Sequence, residues 1–280
     1  NVYARMSPHD KEEIMHKLRA LDQKTLMCGD GTNDVGALKQ AHVGVGVIEN
    51  SVDVKMDEDE YHPKLGAVSI AAPFVAKKGT ISACIDLIRF GRATLSSTID
   101  LFKQLSLNCM ISAFTMSVLF IENVKFGDKQ MTSFAIGISV ASMAITWAKP
   151  LRKLSSERPF ESQFSLYLVT TVLIQFAFHL FVLMTIKDLV YKSGYERQPF
   201  NIKIKFEPNL MNTAMFIATN EMEITTFIAN YRGRPFMQSF FENKLLFFSI
   251  LFSVFVIALL FVEHPLIHML FQTVPFPSNE

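Results

Sequence analysis

The chain has 280 residues, of which half are hydrophobic, 26 are phenylalanine and only 19% are charged. Its 27 Lys and Arg residues nearly balance its 26 Asp and Glu residues, so the net charge excludes nucleic acid as an expected partner. Three widely separated cysteines make neither a disulfide framework nor a zinc site. Residues 1–100 hold 26 of the 53 charged residues, which excludes one uniform soluble domain and favours a soluble head joined to a membrane part.

The first 48 residues alternate between strand and helix patterns. Short apolar segments predict strands at 2–4, 25–28 and 42–48, and apolar spacing predicts helices at 8–21 and 33–40. Such alternation with short connections predicts a parallel, doubly wound α/β head. In sheets of this kind, ligands bind beyond the carboxyl ends of the strands.

A Gly-Asp-Gly turn follows the second predicted strand, at the edge where ligands are expected. Asp30 and Asp34 can meet there if the turn is tight, and magnesium commonly takes one or two carboxylates together with a phosphate oxygen. Gly29 and Gly31 permit close backbone approach, and the Asn33 amide can donate to a phosphate. The alternative for the bare turn is helix capping, because Asp and Asn are ordinary N-cap residues.

A membrane domain is predicted beyond residue 100. Four segments of at least 18 residues contain no charged side chain, and a fifth is interrupted by Glu221 and Glu223. We therefore predict an all-α polytopic domain of about five spans. Their predicted limits are about 101–121, 130–148, 164–187, 208–230 and 245–262.

The region between head and spans divides into three predicted parts. The acidic segment 49–62 is expected to be a solvated loop within the head. A short helical stretch at 71–91 and a stalk at 92–105 are predicted to follow. We place the domain boundary after residue 95, which gives a head at 1–95 and a membrane domain at 96–280.

Polar residues form three lines at helical spacing on the predicted spans. Asn108, Gln175 and Glu223, one from each line, are the candidate residues of a substrate cavity. A carboxylate within a span is costly unless it faces water or a partner. Hydrogen bonding to a neighbouring helix is the alternative, and it is favoured for Ser and Thr. The three lines consist of Gln104, Asn108, Ser112 and Thr115; Thr171, Gln175 and His179; and Asn212, Thr219, Glu223, Thr226 and Asn230.

A longer set of motifs resembles one protein family. Residues 27–39 read Met-Cys-Gly-Asp-Gly-Thr-Asn-Asp-Val-Gly-Ala-Leu-Lys, which resembles the hinge motif that ends the phosphorylation domain of P-type ATPases. Thr32 and Val35 resemble subtype A of the type 5 branch. The resemblance continues through Ala71-Ala72-Pro73-Phe74, Gly91-Arg92, Lys125-Phe126-Gly127-Asp128, Lys149-Pro150, Glu157-Arg158-Pro159, Phe206-Glu207-Pro208 and Gly233-Arg234-Pro235-Phe236.

The resemblance implies a Rossmann-like head of the haloacid-dehalogenase type. It implies that Asp30 holds Mg²⁺, and that Asn33 and Asp34 stabilise the phosphorylated site. Lys11 would neutralise the transferred phosphoryl group, as suits a reaction driven by positioning and charge neutralisation. The cofactor-binding turn would consist of Gly29, Gly31 and Thr32.

The activity that the resemblance implies is ATP-driven dislocation of misinserted transmembrane helices from the endoplasmic-reticulum membrane. The protein would be multi-pass with a cytosolic head, and its partners would be ATP, the lipid bilayer and client helices. The sequence contains no Asp-Lys-Thr-Gly-Thr string, the family's nucleophile motif. We therefore expect the chain to be a piece of a longer protein and to be inactive alone.

Two other functions stay open. The first is a cation or polyamine transporter of the sister subtype, which Glu223 would suit and the Thr32 and Val35 pattern would not. The second is a non-catalytic membrane fragment that only binds or stabilises a partner. A soluble phosphatase with the same head fold is excluded by the predicted spans.

Overall fold

The computed structural model describes residues 3–47, 71–76, 80–197, 199, 205–262 and 264–276. The chain forms two compact units, Asn1–Phe90 and Gly91–Glu280. The described part of the first unit contains helices Pro8–Ala20 (α1) and Val35–Gln40 (α2) and strands Leu26–Gly29 (β1), Val43–Val47 (β2) and Phe74–Ala76 (β3). Helix Ser82–Ile121 (α3) crosses the boundary between the units. The helices that follow are Asp128–Thr146 (α4), Leu166–Lys192 (α5), Leu210–Asn230 (α6), Lys244–Phe261 (α7) and Pro265–Phe271 (α8).

Helix α1 begins at a well-formed cap. The Ser7 hydroxyl accepts from the backbone N–H of Asp10 at 3.2 Å, and the Asp10 carboxylate accepts from the Ser7 backbone N–H at 3.0 Å. Pro8 occupies the first helical position, where its missing N–H costs nothing. The predicted helix at 8–21 is therefore confirmed to within one residue.

The sheet of the first unit is parallel, as predicted. Its order is β1-β2-β3, with Leu26 opposite Val43 and Val45 opposite Phe74. Gly44 allows close approach at its centre, because a Cβ there would lie 2.8 Å from the Leu38 carbonyl oxygen. Val45 and Leu38 are among the buried residues that form the core beside the strands.

Two local predictions were wrong. Phe74–Ala76 lies within the stretch predicted as helical, yet it forms β3, because the open edge of β2 supplies a ladder of hydrogen-bonding groups. Three residues are too few to show a period of their own. Tyr3 and Ala4, predicted as part of a strand, have no strand partner in the described chain. The predicted acidic loop at 49–62 lies outside the described residues.

Three of the described helices are long and apolar enough to cross a membrane. These are α3, α5 and α7, whose most apolar segments have mean hydropathies of 1.6, 2.0 and 2.6. Helices α4 and α6 are not among them: α4 begins with the charged residues Asp128 and Lys129, and α6 contains Glu221 and Glu223. The count of five spans stays a prediction.

Helix α6 is the central helix of the second unit. One core joins it to α3 and α5 through Leu107, Ile111, Leu183, Met215 and Met222. A second core joins it to α4 and α7. The residues of this second core include Ala141, Ala144, Ile145, Ile224, Phe227, Leu246 and Ile250. Because α6 touches helices on several sides, most of its side chains are buried.

A buried amide pair fixes α4 against the start of α6. Gln130 Nε2 donates to Asn212 Oδ1 at 2.8 Å, and Asn212 Nδ2 donates to Gln130 Oε1 at 3.0 Å. Asn212 also donates to the Lys125 carbonyl oxygen at 2.9 Å, and both amides are fully buried. Away from water, losing Gln130 leaves Asn212 Oδ1 without the donor that satisfies it.

We predict that Gln130→Ala lowers the free energy of unfolding by about 1–3 kcal/mol, the cost of leaving a buried polar group unsatisfied. Thr132→Ala is the control, since Thr132 is exposed and donates only to the Asp128 carbonyl oxygen of its own helix. Unfolding of both variants in detergent, followed by circular dichroism, gives the comparison. Equal stabilities would contradict the role given to the amide pair.

Candidate functional site

The candidate site is the turn that follows β1. Strand β1 ends at Gly29, a short 3₁₀ turn covers Thr32–Asp34, and α2 begins at Val35. This places the Gly-Asp-Gly segment at the carboxyl end of a parallel strand, where open α/β sheets bind their ligands. The turn also brings Asp34 back against the strand end.

Gly29 makes that return possible. A Cβ at this position would lie 2.6 Å from Asp34 Cβ and 2.7 Å from Asp34 Oδ2. No real Cβ tolerates such distances, so only glycine lets the Asp34 side chain pack here. Gly31 differs, since the nearest atom to a Cβ there would be 3.9 Å away. The predicted close approach is therefore seen at Gly29, where the group that approaches is the Asp34 side chain of the same chain.

An ion pair joins this turn to α1. Lys11 Nζ donates to Asp34 Oδ1 at 2.8 Å. Asp34 is only 7% exposed, whereas 34% of the Lys11 side chain is exposed. The ammonium thus compensates a nearly buried carboxylate while part of the lysine remains open to solvent. Removing the lysine would leave a buried charge unpaired, which is the costly way to break such a pair.

The remaining residues of the turn are open to a ligand. Asp30, Thr32 and Asn33 are exposed, and Gly31 is partly exposed. The Asp30 carboxylate makes no hydrogen bond or ion pair with any described residue, so all of its oxygen lone pairs are free. Carboxylate oxygens are what Mg²⁺ prefers, and the ion usually completes its shell with water and phosphate oxygens. The residues present therefore fit a magnesium site that a phosphate group would complete.

The carboxylates of this turn affect the nearby thiol of Cys28. Burial, a hydrogen bond with the Cys84 thiol, and the nearby carboxylates of Asp30 and Asp34 raise the pKa of Cys28 from 9.0 to about 11. A raised pKa keeps the thiol protonated and unreactive at neutral pH. Sequence reasoning assigned no role to this thiol, since the packing of Cys84 near it depends on the tertiary fold.

The three predicted substrate-cavity residues occupy different surroundings in the second unit. Asn108 Oδ1 accepts from Thr226 Oγ1 at 3.4 Å, which joins α3 to α6. Gln175 exchanges two hydrogen bonds with Asn230, at 2.8 and 3.1 Å, which joins α5 to α6. Glu223 lines a cavity between α4, α6 and α7 instead. The structure does not bring these three side chains into one cavity.

Two charged side chains of α3 contact the backbone at the end of α6, and the sequence did not predict this contact. The Asp100 carboxylate accepts from the backbone N–H of Arg232 at 3.0 Å, and Lys103 Nζ donates to the Asn230 carbonyl oxygen at 3.4 Å. Both side chains project from α3, three positions apart, so they can reach one helix end together. That spacing was visible in the sequence, but the partner helix was not.

Comparison with known proteins gives consistent relatives, although no family model matches the chain. The chain is 33% identical over 89% of its length to a probable manganese-transporting ATPase, PDR2, of Arabidopsis thaliana. It is 30% identical over 89% of its length to the endoplasmic reticulum transmembrane helix translocase of Saccharomyces cerevisiae. It is 28% identical over 90% of its length to the polyamine-transporting ATPase 13A3 of Homo sapiens.

The chain spans little more than a quarter of the first two of these relatives, 27% and 29% of their lengths, and 21% of the third. The motif string and the nearly complete coverage of the chain together define its class, the P-type ATPases. Within that class, the chain fits a part of the type 5 family, subtype A, and is 30–31% identical to the helix translocases of two yeasts.

We predict slow alkylation of Cys28 by iodoacetamide in the folded protein. At pH 8 the rate should be about a hundredfold below that of the unfolded chain, because only the thiolate reacts and the pKa is raised by about two units. The rate should rise about tenfold per pH unit up to pH 9.5 without levelling off. Mass spectrometry separates the Cys28 peptide from the others.

The unfolded protein in denaturant serves as the control, since its thiols have ordinary pKa values. A Cys28 rate that saturates near pH 9 in the folded protein would show that the carboxylates and Cys84 do not surround this thiol as described.

Proposed function

We propose that this chain supplies the magnesium-binding side of a phospho-aspartyl site and several membrane spans of an ATP-driven helix translocase. The observation that carries the proposal is the turn after β1, which holds the Lys11–Asp34 ion pair and an exposed Asp30 that has no partner among the described residues. Phosphoryl transfer needs positioning and charge neutralisation more than covalent chemistry from the protein. This turn offers both.

In this proposal each residue of the turn has a defined task. Asp30 would hold Mg²⁺, which when bound neutralises negative charge on the transferred phosphoryl group. The half-exposed Lys11 ammonium would place a second positive charge there, while Asp34 holds that ammonium in position. Asn33 would donate its amide to a phosphate oxygen, and the backbone of Gly29, Gly31 and Thr32 would shape the nucleotide-side turn.

We also propose that the first unit is the last part of a haloacid-dehalogenase-type phosphorylation domain. Its described strands are parallel, and its carboxylates follow a strand end, as that fold requires. The predicted boundaries, a head at 1–95 and a membrane domain at 96–280, belong to this proposal. The attacking aspartate would come from outside the 280 residues, since the chain lacks the nucleophile string.

The membrane part of the proposal places five spans in the endoplasmic-reticulum membrane, with the head in the cytosol where ATP is available. Transmembrane helices of misinserted proteins would be the clients. Glu223 would serve on the client pathway, and Asn108 and Gln175 would hold α3 and α5 to α6. The names of the yeast relatives, endoplasmic reticulum transmembrane helix translocases, support this substrate class.

The alternative is transport of a cation or polyamine. One observation favours it, the carboxylates within a predicted span, and relatives named for cation or polyamine transport match at 26–33% identity. The fragment alternative is a chain that only binds a partner. It is disfavoured by Asp30, which pairs with no described residue, and by the paired Lys11, since a purely structural turn needs neither.

We predict that Asp30→Asn in the full-length protein lowers acid-stable phosphoenzyme formation from ATP by at least about 100-fold. Loss of a supporting partner of a metal ligand already costs about 10–100-fold, and here a charged ligand itself is lost. Phosphorylation with radiolabelled ATP, followed by acid quench, measures it. Asp22→Asn is the matched control, an exposed carboxylate of the same unit beyond α1.

Near-normal phosphorylation of the Asp30→Asn protein at millimolar magnesium would refute the metal assignment.

The unmutated full-length protein separates the two transport alternatives. A transmembrane-helix peptide should stimulate ATP hydrolysis in vesicles and spermine should not. The reverse pattern would support the polyamine alternative and overturn the translocase proposal.

A further inference from the structure

A cavity of about 560 Å³ lies between α4, α6 and α7. Most of its wall is apolar, with Phe216 and Phe227 from α6 and Phe248 and Phe252 from α7 among the lining residues. Its volume lies within the range of sites that enclose small organic ligands. The head residues described above take no part in it.

Glu223 is the acidic residue of this wall. It is 6% exposed, and its Oε1 atom has no hydrogen-bond partner among the described residues. No Lys, Arg or His side chain of the described chain lines the cavity. A carboxylate buried among phenylalanines is costly unless a cationic or donating partner reaches it. The described chain provides no such partner, so a ligand can provide it.

The other polar groups of the wall are mostly acceptors. The hydroxyls of Ser133, Ser249 and Ser253 donate to backbone carbonyl oxygens of their own helices at 2.7, 2.8 and 3.0 Å. With these hydroxyl protons engaged, their oxygens can only accept. Asn220 Nδ2 donates to the Phe216 carbonyl oxygen at 2.9 Å, which leaves this amide one further N–H and its oxygen.

We propose that this cavity binds an amphipathic monoamine, with its ammonium group on Glu223 and its apolar body among the phenylalanine rings. An ammonium group offers up to three donors and one positive charge, which match one carboxylate and its neighbouring acceptors. A polyamine fits poorly, because its further ammonium groups would enter an apolar wall without counter-charges. The proposal concerns binding alone, so it does not depend on phosphoryl transfer.

Photolabelling of the full-length protein in lipid nanodiscs tests this site. The probe is a diazirine-bearing dodecylamine, and the matched neutral probe is the corresponding dodecanol. Glu223→Gln keeps the shape of the side chain and removes its charge, and should lower amine labelling of α4, α6 and α7 about tenfold or more. Labelling by the alcohol should stay unchanged.

Two further variants sharpen the test. Glu221→Gln removes an exposed carboxylate two positions earlier on the same helix, and should leave amine labelling unchanged. Gly137 lines the cavity and has no atom within 4 Å of a Cβ built on it, so a Gly137→Leu side chain begins in open space and reduces the cavity volume. Gly137→Leu should reduce labelling by both probes.

Several results would overturn the proposal. Amine labelling that survives Glu223→Gln, or that falls equally with Glu221→Gln, would remove the carboxylate from the site. Unchanged labelling of Gly137→Leu would place the probe elsewhere. Competition by spermine as effective as competition by unlabelled dodecylamine would replace the monoamine class with polyamines.

Discussion

Lys11 reaches from α1 to the Asp34 carboxylate at 2.8 Å, and the geometry of the candidate site depends on that contact. It gives a nearly buried carboxylate a partner of opposite charge and ties the helix before β1 to the turn after it. Because Lys11 engages Asp34 Oδ1, that oxygen is not available to a metal ion in this arrangement. Asp30, on the exposed side of the turn, has no partner among the described residues.

Buried polar groups also need partners in the membrane unit. Buried amides and hydroxyls on α6 find partners on α3, α4 and α5, and an ion pair between Lys187 of α5 and Glu122, the residue after α3, adds to these hydrogen bonds. Such bonds each contribute about 1 kcal/mol or less within membranes, but together they specify which faces meet. The Glu223 carboxylate has no such partner among the described residues, and Gln104 Oε1 and Asn108 Nδ2 on α3 are also buried atoms without one. Glu223 differs from these two in being a carboxylate that lines a cavity.

Much of the first unit followed from the sequence. Strand and helix spacing predicted α1, β1, β2 and the parallel sheet, since these elements carry their own periodic patterns and caps. Strand β3 could not be predicted, because its three residues take their conformation from the edge of β2. The family motifs predicted Lys11 and Asp34 as site residues. Their ion pair bridges 23 positions and depends on how α1 packs.

In the membrane unit, the polar lines were visible at helical spacing, but their partners were not. Gln130 and Asn212 lie 82 positions apart, and no local pattern connects them. The cavity is likewise a property of three helices together, which explains why Asn108 and Gln175 were predicted to share it with Glu223. The helical spacing of polar residues predicts which face of a helix is polar. Tertiary packing determines which neighbouring helix covers that face.

The central claim, that Lys11 and Asp34 act as one unit in phosphoryl transfer, is tested most directly by a double-mutant cycle. Phosphoenzyme formation from ATP would be measured for full-length proteins carrying Lys11→Met, Asp34→Asn and both changes. The account predicts that each single change lowers the rate about tenfold or more, and that the double variant is no worse than the slower single variant. Fully multiplicative losses, or near-normal rates in the single variants, would contradict it.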